Sequence, residues 1–186
     1  MQRSLLLWTS MLLALSACAT IETSTPTQQA SEATDSVPTV VLDTAQREAL
    51  LTAIQSLEGR WKDPEIGETV LEVTSGGSVV RETMFPGQPH EMTNMYSLDL
   101  NDLCVTHYCG SGNQPHMRAT GLQNTPEGQA IDFQPDGVSD LKTPDEMFMG
   151  QMKLVLIDPN HFEQHWQAFR GEKLDEPMVF HYERIE

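Results

Sequence analysis

The sequence predicts an all-β protein, an antiparallel up-and-down barrel of about nine or ten strands preceded by one short N-terminal amphipathic helix. Three observations carry that prediction. Beyond Gly67, short runs alternate apolar and polar residues, the period of a strand with one buried face. Turns bearing Gly, Pro, Asn and Asp separate the runs at short spacing, with no helical pattern between them that could serve a βαβ crossover. Helical spacing occurs before the strands, in Leu50, Leu51, Ile54 and Leu57.

The chain of 186 residues opens with a stretch that reads as a signal peptide over 1–17. Arg3 supplies the positive end, Leu5 to Leu15 the apolar run, and Leu15-Ser16-Ala17 the small-residue approach to a cleavage site. The run is shorter than the roughly 20 apolar residues that span a bilayer. Leu15-Ser16-Ala17-Cys18 resembles the bacterial lipobox, whose cysteine becomes the lipid-modified first residue of the mature protein. That resemblance implies lipidation at Cys18 and anchoring without a spanning helix. Ala19 in place of an acid resembles the pattern sorted to the outer membrane, which implies a periplasm-facing domain. The plainer reading is an ordinary secretory signal in which Cys18 is incidental.

Residues 18–42 are rich in Thr, Ser, Gln, Pro, Ala and Glu and poor in large apolar side chains, so they read as a disordered tether. As a flexible coil it would hold the domain on the order of 25 Å from the membrane. The whole chain carries 11 basic against 27 acidic residues, a formal charge of −16. Phosphate binding needs clustered Lys and Arg, so nucleic acid is not an expected partner. The acidic balance suits a solvated surface, and anionic headgroups would repel it. The lipid has to do the holding.

The folded domain is expected over 43–186. Asp43-Thr44-Ala45-Gln46 offers a capping box, which predicts a helix over 44–57. Val70 to Val73 and Val79 to Phe85 flank Ser75-Gly76-Gly77 as a hairpin. Further strands are expected over 92–98, 103–109, 117–121, 129–134, 149–157, 162–169 and 178–185. Three predicted faces are clearly apolar: Phe148, Met152, Leu154 and Leu156; Phe162, Trp166 and Ala168; and Met178, Phe180, Tyr182 and Arg184. Gln151, Lys153, Glu163, His165 and Glu183 occupy the opposite faces, as a closed barrel requires.

Gly59-Arg60-Trp61 at the helix-to-strand junction and Arg184 on the last strand resemble the lipocalin and wider calycin pattern. That resemblance implies a barrel whose base is closed by Trp61 and Arg184, with guanidinium stacked on indole. It covers residues 57–186 and departs from typical lipocalins in having no long helix after the barrel. Segments around Glu82 to Gly87, His90 to Met92 and Thr106 to Pro115 also resemble a group of uncharacterised bacterial exported proteins with a lipocalin-like barrel. That resemblance leaves function open.

The stretch from Leu103 to Met117 concentrates the chemistry. Two cysteines, two histidines and a Gly/Asn/Pro bend fall within it. Strand alternation puts His107 and Cys109 on one face with Leu103 and Val105, and Cys104 on the other. Cys104 and Cys109 would then lie about 16 Å apart at about 3.3 Å per residue, beyond disulfide reach. His107 and Cys109 aimed inward could form an activated thiolate, a soft-metal pair or a hydrogen-bonding contact to a ligand. No spacing supplies the remaining ligands of a tetrahedral metal site, and no metal or cofactor is assigned. The plainer alternative is a satisfied core histidine beside an inert cysteine.

Gly110 to Pro115 reads first as a connection, with Asn113 and Gln114 as candidate headgroup contacts at the mouth. Glu82 shares a face with Val80 and Met84; if that face is inward, the carboxylate needs a partner, for which His107 and Arg118 are candidates. Tyr96, Met117 and Trp166 complete the candidate lining, and His161 and His165 read as exposed. The leading functional expectation is an anchored barrel that binds a small apolar or amphipathic molecule. A hydrolase or transferase using His107 and Cys109, and an envelope structural or assembly lipoprotein, are the alternatives.

Overall fold

A computed structural model of the protein describes residues 42–100 and 102–186. Cys18, the signal segment and the tether up to residue 41 lie outside the described residues. Helix α1 (Thr44–Gln55) starts where the sequence places it: Asp43 accepts from the Gln46 backbone N–H at 2.8 Å, and the Gln46 side chain accepts from the Asp43 N–H at 2.9 Å. Its buried face is Leu50, Leu51 and Ile54. Leu42, just before the cap, is buried as well.

Eleven strands follow: β1 (Gly59–Asp63), β2 (Gly67–Thr74), β3 (Val79–Met84), β4 (Met92–Asp99), β5 (Asp102–Tyr108), β6 (Gln114–Thr125), β7 (Gly128–Ser139), β8 (Met147–Asp158), β9 (His161–Arg170), β10 (Lys173–Leu174) and β11 (Met178–Arg184). Each of β1 to β9 pairs antiparallel with the next; β11 then joins β9 to β1 and closes the ring. β10 pairs with the upper end of β9, beyond the stretch that β11 covers. The barrel therefore has ten staves, β1 to β9 and β11. Up-and-down connection sends alternate turns to opposite ends, and helix α1 packs at the end where β4 meets β5.

The Gly-x-Trp junction and the last strand meet at that base. The Arg184 guanidinium carbon lies 4.0 Å from the Trp61 ring centroid. Its nitrogens donate to the carbonyls of Pro159, Glu58 and Ser56, tying the β8–β9 turn to the helix exit. Trp61 Nε1 donates to the Leu57 carbonyl at 2.8 Å. Gly59 explains its own place: a Cβ there would stand 2.5 Å from both Arg184 Nη1 and the Glu186 carbonyl oxygen, and φ is +139°. A side chain would occupy the volume the arginine needs.

Two local expectations are corrected. Gln114 and Pro115 belong to β6, and the bend is confined to residues 109–113. Gln114 is extended, as a residue before proline must be, and β5 pairs with β6 only at 116–118, so the missing proline N–H is not needed there. A register shift between Met149 and Gln151 moves Phe148 to the outer face, where it stacks on its cross-strand partner Phe169 with centroids 5.5 Å apart. Met149 takes the inward place instead.

Candidate functional site

Cross-strand register builds the site. Leu71 on β2 faces Glu82 on β3, Glu82 faces Asn94 on β4, and Asn94 faces His107 on β5, so one inward row crosses four staves. Glu82, Asn94 and His107 are at most 1 % exposed. The Glu82 face is inward, which periodicity had left undecided.

Glu82 accepts five hydrogen bonds from four side chains. Thr69 Oγ1 donates at 3.0 Å, Asn94 Nδ2 at 2.7 Å, the Tyr96 hydroxyl at 2.7 Å, and Gln164 Nε2 at 2.9 and 3.0 Å to the two oxygens. The candidate partners named from sequence are not the ones found. Arg118 lies on the outer wall, held by Asp99, Asp102 and Asp136, with Cys104 Sγ 3.3 Å from its Nη1. An outward residue cannot cross the sheet to an inward carboxylate. His107 joins through Asn94: Asn94 Oδ1 lies 2.7 Å from His107 Nδ1.

The rest of the network extends to β9. Trp166 Nε1 donates to Gln164 Oε1 at 3.1 Å, and the Trp166 and His107 rings lie 5.1 Å apart. Burial pushes the His107 pKa down to about 4, so the imidazole is neutral at ordinary pH. Burial and then the Glu82 charge push Tyr96 well up, keeping its hydroxyl a donor. Tyr182 is likewise raised, by burial first and then by the charges of Glu82 and Asp63. No described protein group hydrogen-bonds His107 Nε2 or the Tyr182 hydroxyl, though both are buried.

The inward wall around this row is soft. Met117 is buried opposite Val105 on β5, Met152 opposite Trp166, and Met149 opposite Ala168. Thioethers adapt to irregular shapes better than branched or aromatic side chains. Among the described residues, the buried charged side chains are Asp63, Glu82 and Asp102, all acids.

Cys109 is not part of the network. It stands past the end of β5, where its Sγ accepts from the Ser111 hydroxyl at 3.2 Å. A thiolate activated by His107 would need a contact that neither side chain makes. Cys104 and Cys109 are both free, and burial ahead of neighbouring charges pushes the Cys104 thiol up to about 11. Asn113 is buried but ties loops together, donating to Glu146 Oε1 at 3.0 Å and to the Met147 carbonyl at 3.1 Å. Gln114 Nε2 donates to the Gly112 carbonyl. On the outside, His165 and His181 flank Glu163, and His161 sits on Asp158.

Of the residues singled out from sequence, Glu82, Tyr96, His107 and Trp166 meet in one network, and Met117 lines its wall. Cys109, Asn113 and Gln114 belong to the rim. Thr69, Asn94 and Gln164 were missed, although each is a polar residue at an inward position of an apolar face: Asn94 between Met92 and Tyr96, Gln164 between Phe162 and Trp166. A polar side chain in that register signals a buried network.

No protein-family model matches the chain, and no curated protein shows significant similarity to it. The closed antiparallel barrel, with one helix packed at its base, is consistent with a lipocalin-like fold.

Proposed function

We propose that the protein is an envelope lipoprotein, anchored to the outer membrane through Cys18, whose barrel binds a small hydrophobic or amphipathic molecule with its polar end at His107. The observation that carries the binding reading is the buried His107 Nε2. Its ring is fixed through Asn94 and Glu82, yet no described protein group meets the outer nitrogen. Leaving a buried acceptor unpaired costs about 1–3 kcal/mol, and a bound molecule recovers it. The adaptable Met117, Met149 and Met152 wall supports an apolar tail. The anchor reading rests on the lipobox-like Leu15 to Cys18.

Native mass spectrometry after incubation with an envelope lipid extract tests the first part. A retained adduct is expected, reduced at least tenfold in His107→Leu; a spectrum at the bare protein mass alone would sink the binding reading. Metabolic labelling with radioactive palmitate tests the second. Label is expected in the wild type and absent in Cys18→Ser, and equal labelling of both would refute the anchor.

A further inference from the structure

We infer that the barrel selects amphiphiles whose head group donates a hydrogen bond, an alcohol or a protonated amine, over those headed by a carboxylate or phosphate. The inference rests on the binding reading above and adds the chemistry of the head group. It follows from a chain of hydrogen-bond directions fixed at one end by Glu82. Every side chain that reaches the Glu82 carboxylate does so with an N–H or O–H. Asn94 must therefore turn its Nδ2 toward Glu82, which leaves its Oδ1 for His107. An amide oxygen only accepts, so the imidazole proton sits on Nδ1 and Nε2 presents a bare lone pair. A head group placed there has to be a donor.

Charge reinforces direction. A carboxylate head would enter an interior that already holds the buried Glu82 carboxylate, with no buried lysine or arginine among the described residues to offset it. It would meet a lone pair at Nε2 and the negative charge of Glu82 behind Asn94, with low-dielectric surroundings strengthening both repulsions. Nε2 does not become a donor at neutral pH, because burial keeps the ring neutral. An alcohol supplies the missing hydrogen without charge, and an ammonium adds attraction to Glu82.

Dodecanol, dodecylammonium and dodecanoate share one tail and differ at the head. Calorimetric titration of each at pH 7.5 into the mature lipoprotein in a non-ionic amphipol, against an empty-amphipol blank, should give the alcohol and ammonium at least tenfold tighter binding than the carboxylate. Dodecanoate binding as well or better would overturn the inference and leave the binding reading standing. Binding of none of the three would remove the binding reading and this inference with it. A second measurement needs neither variant nor ligand: long-range proton–nitrogen correlation of the imidazoles should show His107 protonated at Nδ1 and bare at Nε2. The opposite tautomer would overturn the head-group assignment, whatever binds.

Discussion

His107 titrates near 6.5 in an unfolded chain and at about 4 in the barrel, where burial disfavours the imidazolium. The unfolded state therefore binds the extra proton between those values, and stability is lost as pH falls through that window. Above it, the contribution is fully present. The difference corresponds to about 3 kcal/mol. Urea denaturation at pH 7 and at pH 4.5 should show a marked fall for the wild type, and His107→Leu should flatten it over the same interval. Parallel profiles for the two proteins would contradict a buried neutral histidine. Alternation along Leu103 to Tyr108 was enough to face this residue inward. Its partner was not legible, because strand spacing gives a face and a height but not a neighbour around the ring. Gln164, 82 positions from Glu82, reaches the carboxylate only because the barrel closes.

At the scale of elements, the base is held by one glycine and one arginine whose volumes exclude each other's alternatives. Gly59→Ala would drive a methyl to 2.5 Å from Arg184 Nη1 and force a side chain into positive φ. The expected loss is about 2–4 kcal/mol, read as a lower urea midpoint. Arg184→Lys should weaken the same clamp, since a lysine keeps the charge and loses the planar fork that spans three carbonyls. The double variant should fall less than the sum of the two; strict additivity would mean the residues do not share one clamp. The helix start, strand count and turns were readable because capping chemistry and period are local. The shift at Gly150 was not. Glycine makes room at that point for the Phe148 and Phe169 rings, each 2.7 Å from where a Cβ would stand, a packing fact invisible to alternation.

For the whole molecule, the ring is joined least extensively where its first and last strands meet. β1 and β11 share two residue pairs, Trp61 with Arg184 and Lys62 with Glu183, and above them a side chain takes over. Asp63 accepts from the His181 N–H at 2.6 Å with one oxygen, and from the Glu65 and Ile66 N–H groups with the other. Burial works to raise its pKa, but those donors outweigh it and hold the carboxyl below its ordinary value. Its contribution is present above the unfolded carboxyl pKa and lost as pH falls through the folded one. Asp63→Asn would turn an amide N–H against that of His181, at a cost of about 1–3 kcal/mol. Hydrogen exchange should then quicken at His181 while β6 and β7 keep their protection; unchanged exchange at His181 would refute the role.

That seam also bears on assembly. All the other staves are neighbours in sequence or nearly so, whereas β1 and β11 are brought together only after the chain has gone round. A barrel opened there would be a curved sheet with two bare edges of matching register, and a second open copy could supply the missing neighbour to each. A carboxylate that accepts across this gap, as Asp63 does from the His181 N–H, would raise the free-energy cost of exposing those edges.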